Sequence, residues 1–119
     1  MTRAVLICLI AATVVADQLT KAAALSALSQ GIAVPVFPGF NLTLGFNEGA
    51  SFGMMGGVMA GKPLLMAALT GALTLAFAVM AFRAQHPLER IGYGLVVGGA
   101  LGNIIDRLRQ GAVTDFLDF

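Results

Sequence analysis

The sequence is short of charge. Of its 119 residues, seven are Lys or Arg and six are Asp or Glu, 11% in all, less than half of the roughly 25% usual in a soluble domain. That scarcity argues against a soluble globule. With 58% hydrophobic residues, it also argues against a disordered chain. The net charge of +1 leaves no electrostatic footprint for nucleic acid. Cysteine occurs once, at Cys8, so no disulfide forms within these residues. The one histidine, His86, has no Cys or His beside it, which argues against a zinc site. The glycines show no phosphate-loop pattern. What remains is apolar: mean hydropathy is +0.89, and the composition is that of a membrane protein of one domain.

Crossing a hydrocarbon core of about 30 Å takes roughly 20 apolar residues in a helix. Three stretches qualify, at about 4–28, 63–82 and 88–107. A cleaved signal peptide is the other reading of the first stretch. Asp17 and Lys21 interrupt the place where its small-residue cleavage site would sit. The segment at about 31–57 is different in kind. It alternates through Phe40-Asn-Leu-Thr-Leu-Gly-Phe46 and then becomes turn-rich, which predicts a small β element. The expected fold is an all-α membrane protein with that β element on its outer face. Gly94, Gly98 and Gly102 recur four apart in the third stretch, so another helix can approach it closely.

Basic residues near span ends favour the cytoplasmic side. Arg3 precedes the first span, and Arg83 and Arg90 flank the connection between the second and third. This predicts a multi-pass protein of the cell membrane with a cytoplasmic N-terminus. Asp17, Lys21, Asn47, Asp106, Arg107 and Asp115 then lie towards the outer face, so separate stretches deliver polar groups to one depth.

Ionisable groups inside a membrane segment are expensive and tend to have partners or jobs. Asp17 and Lys21, at i and i+4, share a helix face. They form either a structural ion pair or part of a site. Asn47-Glu-Gly49 is either a simple turn or a place where the Asn47 amide grips an extended substrate backbone. Asn103 and Asp106, at i and i+3, also share a face, and Arg107 can pair with a carboxylate. Asp115 sits between Val113 and Phe116, which predicts partial desolvation. Loss of water favours a neutral carboxyl, as does a second carboxylate nearby. Such a couple is the physical basis of water activation by an aspartate pair. The bland alternative for Asp115 is a surface acid following a helix.

Three motifs together resemble a known family. They are Asp17-Gln-Leu-Thr-Lys21, Phe46-Asn-Glu-Gly-Ala-Ser-Phe52, and Gly98-Gly-Ala-Leu-Gly-Asn-Ile-Ile-Asp-Arg107 followed by Val113-Thr-Asp-Phe116. In order and spacing they resemble lipoprotein signal peptidase, the bacterial type II signal peptidase. The resemblance implies a membrane aspartic endopeptidase of four transmembrane helices with a small β cradle outside. It implies a monomer without metal or organic cofactor, surrounded by membrane lipids in the cell (inner) membrane. Its substrate would be a prolipoprotein already carrying diacylglycerol on the lipobox cysteine, cleaved just before that cysteine. Asp115 matches one aspartate of the catalytic pair. Asp17, Lys21, Asn47, Gly49, Asn103, Asp106 and Arg107 match positions that bind substrate or support the site.

One departure accompanies the match. The family's second catalytic aspartate lies in a Phe-Asn-x-Ala-Asp motif opening a fourth helix, and residues 1–119 do not contain it. Asp118 stands too close to Asp115 to replace it. The 119-residue chain by itself is therefore expected to be inactive. The competing expectation is a non-catalytic three-span fragment that binds lipoprotein precursors. A small transporter with Asp17 or Asp106 as a proton site would show paired broken helices in related halves, and the sequence has none.

Overall fold

The structure, a computed structural model, describes residues 1–47 and 62–119. In chain order its elements are α1 (Arg3–Ala27), β1 (Val34–Phe37), β2 (Phe40–Asn47), α2 (Pro63–Arg83), α3 (Pro87–Gln110) and β3 (Val113–Asp118). The latter part of the expected β element, with Glu48 and Gly49, lies outside the described residues.

Local chemistry sets the helix ends. The Thr2 hydroxyl accepts the Val5 N–H at 3.1 Å and caps α1. At the start of α3, His86 Nδ1 accepts the Leu88 N–H at 3.2 Å, with Pro87 in the first turn. Gly111 ends α3 in the left-handed region at φ 85°, its N–H returning to the Arg107 carbonyl, a conformation that glycine adopts without strain.

Two described helices, Arg3–Ala27 and Leu64–Arg83, are long and apolar enough to cross a membrane. Their large apolar side chains point outward all round: Ile7, Val15 and Leu19 on α1, and Leu64, Leu73 and Leu75 on α2, are all more than half exposed. Water would not tolerate so much apolar surface, whereas lipid does. Cys8 is among the exposed residues of α1 rather than in a protein core. The third helix, α3, has a similar length but carries Glu89 and Arg90 near one end and Asp106, Arg107 and Arg109 near the other.

The core lies along α3, which packs against both α1 and α2. Glycines set its approach to α1. A Cβ built on Gly94 would meet Leu6 at 3.0 Å, on Gly98 would meet Thr13 at 2.5 Å, and on Gly102 would meet Asp17 Oδ2 at 2.0 Å. The four-residue glycine spacing thus finds its partner in α1.

At one end of the bundle, Arg90 joins three backbone carbonyls. Its Nε donates to Ala84 at 2.7 Å, Nη2 to Phe82 at 3.2 Å, and Nη1 to Met1. The chain start and the α2–α3 connection therefore share that end. At the opposite end lies an antiparallel sheet in the order β1-β2-β3. The β1–β2 hairpin turns through Pro38 and Gly39, with Gly39 at φ 88° as position i+2 of a type II turn requires. Strand β3 was not anticipated. Val113–Asp118 pairs with β2, Asn47 facing Val113 and Gly45 facing Asp115.

Candidate active site

Lys21 is the hub of the sheet end. It is 5% exposed, and its Nζ lies 2.9 Å from Asp17 Oδ2, 2.9 Å from Asp106 Oδ2 and 2.8 Å from Asn103 Oδ1. An ammonium has three donors, and all three are used. The i, i+4 spacing on α1 delivers Asp17 and Lys21 together, and the i, i+3 spacing on α3 delivers Asn103 and Asp106. The Gly98–Gly102 contact brings the two faces close enough to bond.

Asp106 is fully buried. Besides Lys21, its carboxylate accepts the Gln18 amide at 3.2 Å and the Thr114 backbone N–H at 3.1 Å. Arg109, more than half exposed, reaches its Oδ1 at 3.6 Å. A buried carboxylate is tolerated only when paired and hydrogen-bonded, and this one is both. The Thr114 bond has a structural consequence. It ties the start of β3, and so Asp115 one residue further on, to the α1–α3 seam.

Two polar residues escaped the sequence reading. Gln18 donates to Asp17 Oδ2 and to the Gly102 carbonyl, each at 3.1 Å, as well as to Asp106. An amide within an apolar run was a usable signal. Gln110 donates to the Ala112 carbonyl at 2.8 Å and to the Thr114 hydroxyl at 2.7 Å, bridging the end of α3 to β3. No sequence pattern announces that bridge, because it depends on the sheet being present.

Asp115 requires a correction. It is exposed, not desolvated. In a strand, i±2 share a face and i±1 take the other. Of the two expected neighbours, only Val113 shares the side of Asp115. Its partner across the sheet is Gly45, where an added Cβ would meet nothing within 4 Å. Among the described residues, its Oδ1 accepts only the nearby Leu117 N–H at 3.2 Å. Asp115 is nonetheless placed with the predicted group. It borders a cavity of about 370 Å³ shared with Asp17, Lys21, Asn47 and Asn103.

Arg107 requires another. It is 7% exposed, and among the described residues it forms no ion pair and its buried Nε has no hydrogen-bond partner. Successive helical residues differ by about 100° in direction, so Arg107 turns from Asp106 towards α2, while Arg109 at i+3 approaches the carboxylate. Arg107 borders a second cavity, of about 210 Å³, between α2 and α3. Asn47, Asn103 and Val113 border both cavities. Asn47 closes β2 opposite Val113 and is half-buried. Among the described residues, no group of three or more His, Cys, Asp or Glu is placed to hold a metal ion.

Outward-facing apolar helices, a fully paired buried charge cluster and an exposed carboxylate beside a polar cleft define a membrane protein with a polar cleft at one end. A family model described as signal peptidase (SPase) II matches residues 9–119. The lipoprotein signal peptidase of Pelotomaculum thermopropionicum is 43% identical over 114 residues, covering 93% of this chain and 72% of that protein. The lipoprotein signal peptidase of Burkholderia mallei is 42% identical over 104 residues, covering 87% of this chain and 63% of that protein. Two solved structures, each of a bacterial membrane enzyme, superpose over 98% of this chain. One has a TM-score of 0.78 at 30% identity and is covered to 75%. The other has a TM-score of 0.81 at 28% identity and is covered to 71%. The chain belongs to the signal peptidase II family, a family of membrane peptidases.

Proposed function

We propose that this protein provides the substrate cleft and one catalytic carboxylate of an aspartic endopeptidase that removes signal peptides from diacylglyceryl-modified prolipoproteins. The observation that carries this reading is the placement of Asp115: a carboxylate lining one cavity with Asp17, Lys21, Asn47 and Asn103, in a chain 43% identical to a lipoprotein signal peptidase.

In this reading α1, α2 and α3 are three transmembrane helices of a four-helix family bundle, with the sheet on the outer, periplasmic face. The end held by Arg90 is cytoplasmic, as the clustering of Arg3, Arg83 and Arg90 favours. The protein acts as a monomer in the cell (inner) membrane.

The chemistry follows from a carboxyl pair of which Asp115 is one member. The ionised member takes a proton from water, and that water attacks the scissile carbonyl. The neutral member hydrogen-bonds the carbonyl oxygen, and a proton passes to the leaving amine. Asn47, Asn103 and Arg107 hold the substrate backbone. Asp17, Lys21 and Asp106 keep the helix ends and β3 in place. The acyl chains of the modified cysteine hold the scissile bond at the depth of the cleft.

Phe-Asn-x-Ala-Asp is absent from residues 1–119, so the test has two arms. The first is the 119-residue chain. The second is the same chain fused after Phe119 to a segment that supplies the Phe-Asn-x-Ala-Asp motif and about 20 further apolar residues. Both are incubated in detergent with a diacylglyceryl-modified prolipoprotein. The chain alone should bind without cleaving, and the fusion should cleave before the cysteine. Asp115→Asn in the fusion should lower the rate by about 10²–10⁴-fold, the range of one acid–base group. A fusion that cleaves an unmodified precursor equally fast, or is indifferent to Asp115→Asn, overturns the proposal. Binding with no cleavage by the fusion would favour the non-catalytic reading.

A further inference from the structure

We propose that Lys21 is a positioning residue for substrate binding: by holding Asn103 Oδ1, it aims the Asn103 side-chain N–H groups into the cleft. The inference rests on the function proposed above and assigns Lys21 a job beyond ion pairing.

An ammonium only donates, so it can face only the oxygen of a side-chain amide. Lys21 Nζ lies 2.8 Å from Asn103 Oδ1. That bond removes the two-fold ambiguity of the amide and turns Nδ2 away from the charge cluster. Nδ2 makes no hydrogen bond among the described residues, and Asn103 borders both cavities. Two N–H donors are thereby presented to the space beside Asp115. Their natural acceptor is a backbone carbonyl of an extended peptide.

Lys21 is itself held on two sides by Asp17 and Asp106 at 2.9 Å each, so it has little freedom to release the amide. Without Lys21, the Asn103 oxygen can rotate into the cleft. There it would repel a carbonyl instead of binding it.

The probe is a synthetic lipobox peptide carrying a diacylglyceryl-modified cysteine, bound to the 119-residue chain in detergent. The variants are Lys21→Met, Lys21→Arg, Asn103→Asp and the double variant Lys21→Met with Asn103→Asp. Asn103→Asp keeps the shape and the bond to Lys21 but has no donors for the cleft. It should weaken binding about tenfold with a cooperative unfolding transition still present, at a somewhat lower temperature because a third carboxylate joins Asp17 and Asp106 on one ammonium. Lys21→Met should weaken binding by a similar factor, and the double variant no further than either single one. Lys21→Arg, which keeps the charge but not the compact donor set, should bind weakly too, and it serves if Lys21→Met does not fold. In side-chain amide NMR spectra, the Asn103 signal is the one missing from Asn103→Asp. It should shift on peptide addition in the wild type and change position in the Lys21 variants. Wild-type affinity in both Lys21 variants, or additive losses in the double variant, overturns the inference. If the wild type binds no peptide, the function proposed above fails instead. An Asn103 signal unmoved by Lys21→Arg or Lys21→Met would then overturn this inference independently.

Discussion

The two sides of α3 are built to opposite specifications. Towards α1 the seam is closed. Gly94, Gly98 and Gly102 bring the backbones together, and Leu6 is fully buried against them. Where the seam turns polar, Asp17, Gln18, Lys21 and Asp106 satisfy one another. Towards α2 the seam is open. It holds a cavity of about 210 Å³, and Arg107 borders it with a buried Nε that has no partner among the described residues. Buried polar groups cost stability unless matched. In the proposed function the matched side supports the site, and the side left unmatched among the described residues meets the substrate's acceptors.

The most damaging way to break the comparison is to force the closed seam apart. Gly102→Leu puts a side chain where even a Cβ would lie 2.0 Å from Asp17 Oδ2. It should separate the Asp17–Lys21 pair from Asp106 and cost about 3–5 kcal/mol, the scale of a broken buried ion pair. Thermal unfolding in detergent should show loss of the cooperative transition.

A milder break is Gly98→Ala, whose Cβ would lie 2.5 Å from that of Thr13. About 1–3 kcal/mol is expected, as for overpacking. Gly99→Ala sharpens the contrast. Its Cβ meets nothing within 4 Å, so stability should hold or rise by up to about 1 kcal/mol from helix propensity. Equal losses at the two glycines would contradict a seam closed on one side only.

The open side should respond differently. Arg107→Met removes a buried charge that has no ion-pair partner among the described residues, so stability should not fall. Affinity for a diacylglyceryl-modified lipobox peptide should drop about tenfold, or roughly 1.4 kcal/mol. A large loss of stability would mean that Arg107 is structural after all.

Much was legible before the fold was known, because the relevant signals are local. Apolar run length announced helical, membrane-suited stretches. The i, i+4 spacing of Asp17 and Lys21 and the i, i+3 spacing of Asn103 and Asp106 put each pair on one face. Phe40–Phe46 alternated and became most of β2. Other features were not legible because their partners are remote in sequence. Gln18 finds Asp106 88 residues away. Val113–Asp118 becomes a strand only because β2, about 70 residues earlier, offers an edge, and the short-range Gln110–Thr114 bond forms only once that strand is in place. The apolar neighbours of Asp115 suggested burial, but the pleat of β3 turned its carboxylate outward.

What the sequence by itself determined is the medium and the vocabulary: an apolar chain with few charges, grouped at spacings that share helix faces. Helical periodicity and hydropathy are properties of neighbouring residues, so they need no fold to be read. Only the tertiary structure decided which charges are satisfied and which are not. That outcome depends on glycine contacts between α1 and α3 and on a strand pairing that joins the ends of the chain's polar segments. Such contacts link residues far apart in sequence, and the three-dimensional packing brings them within hydrogen-bonding distance.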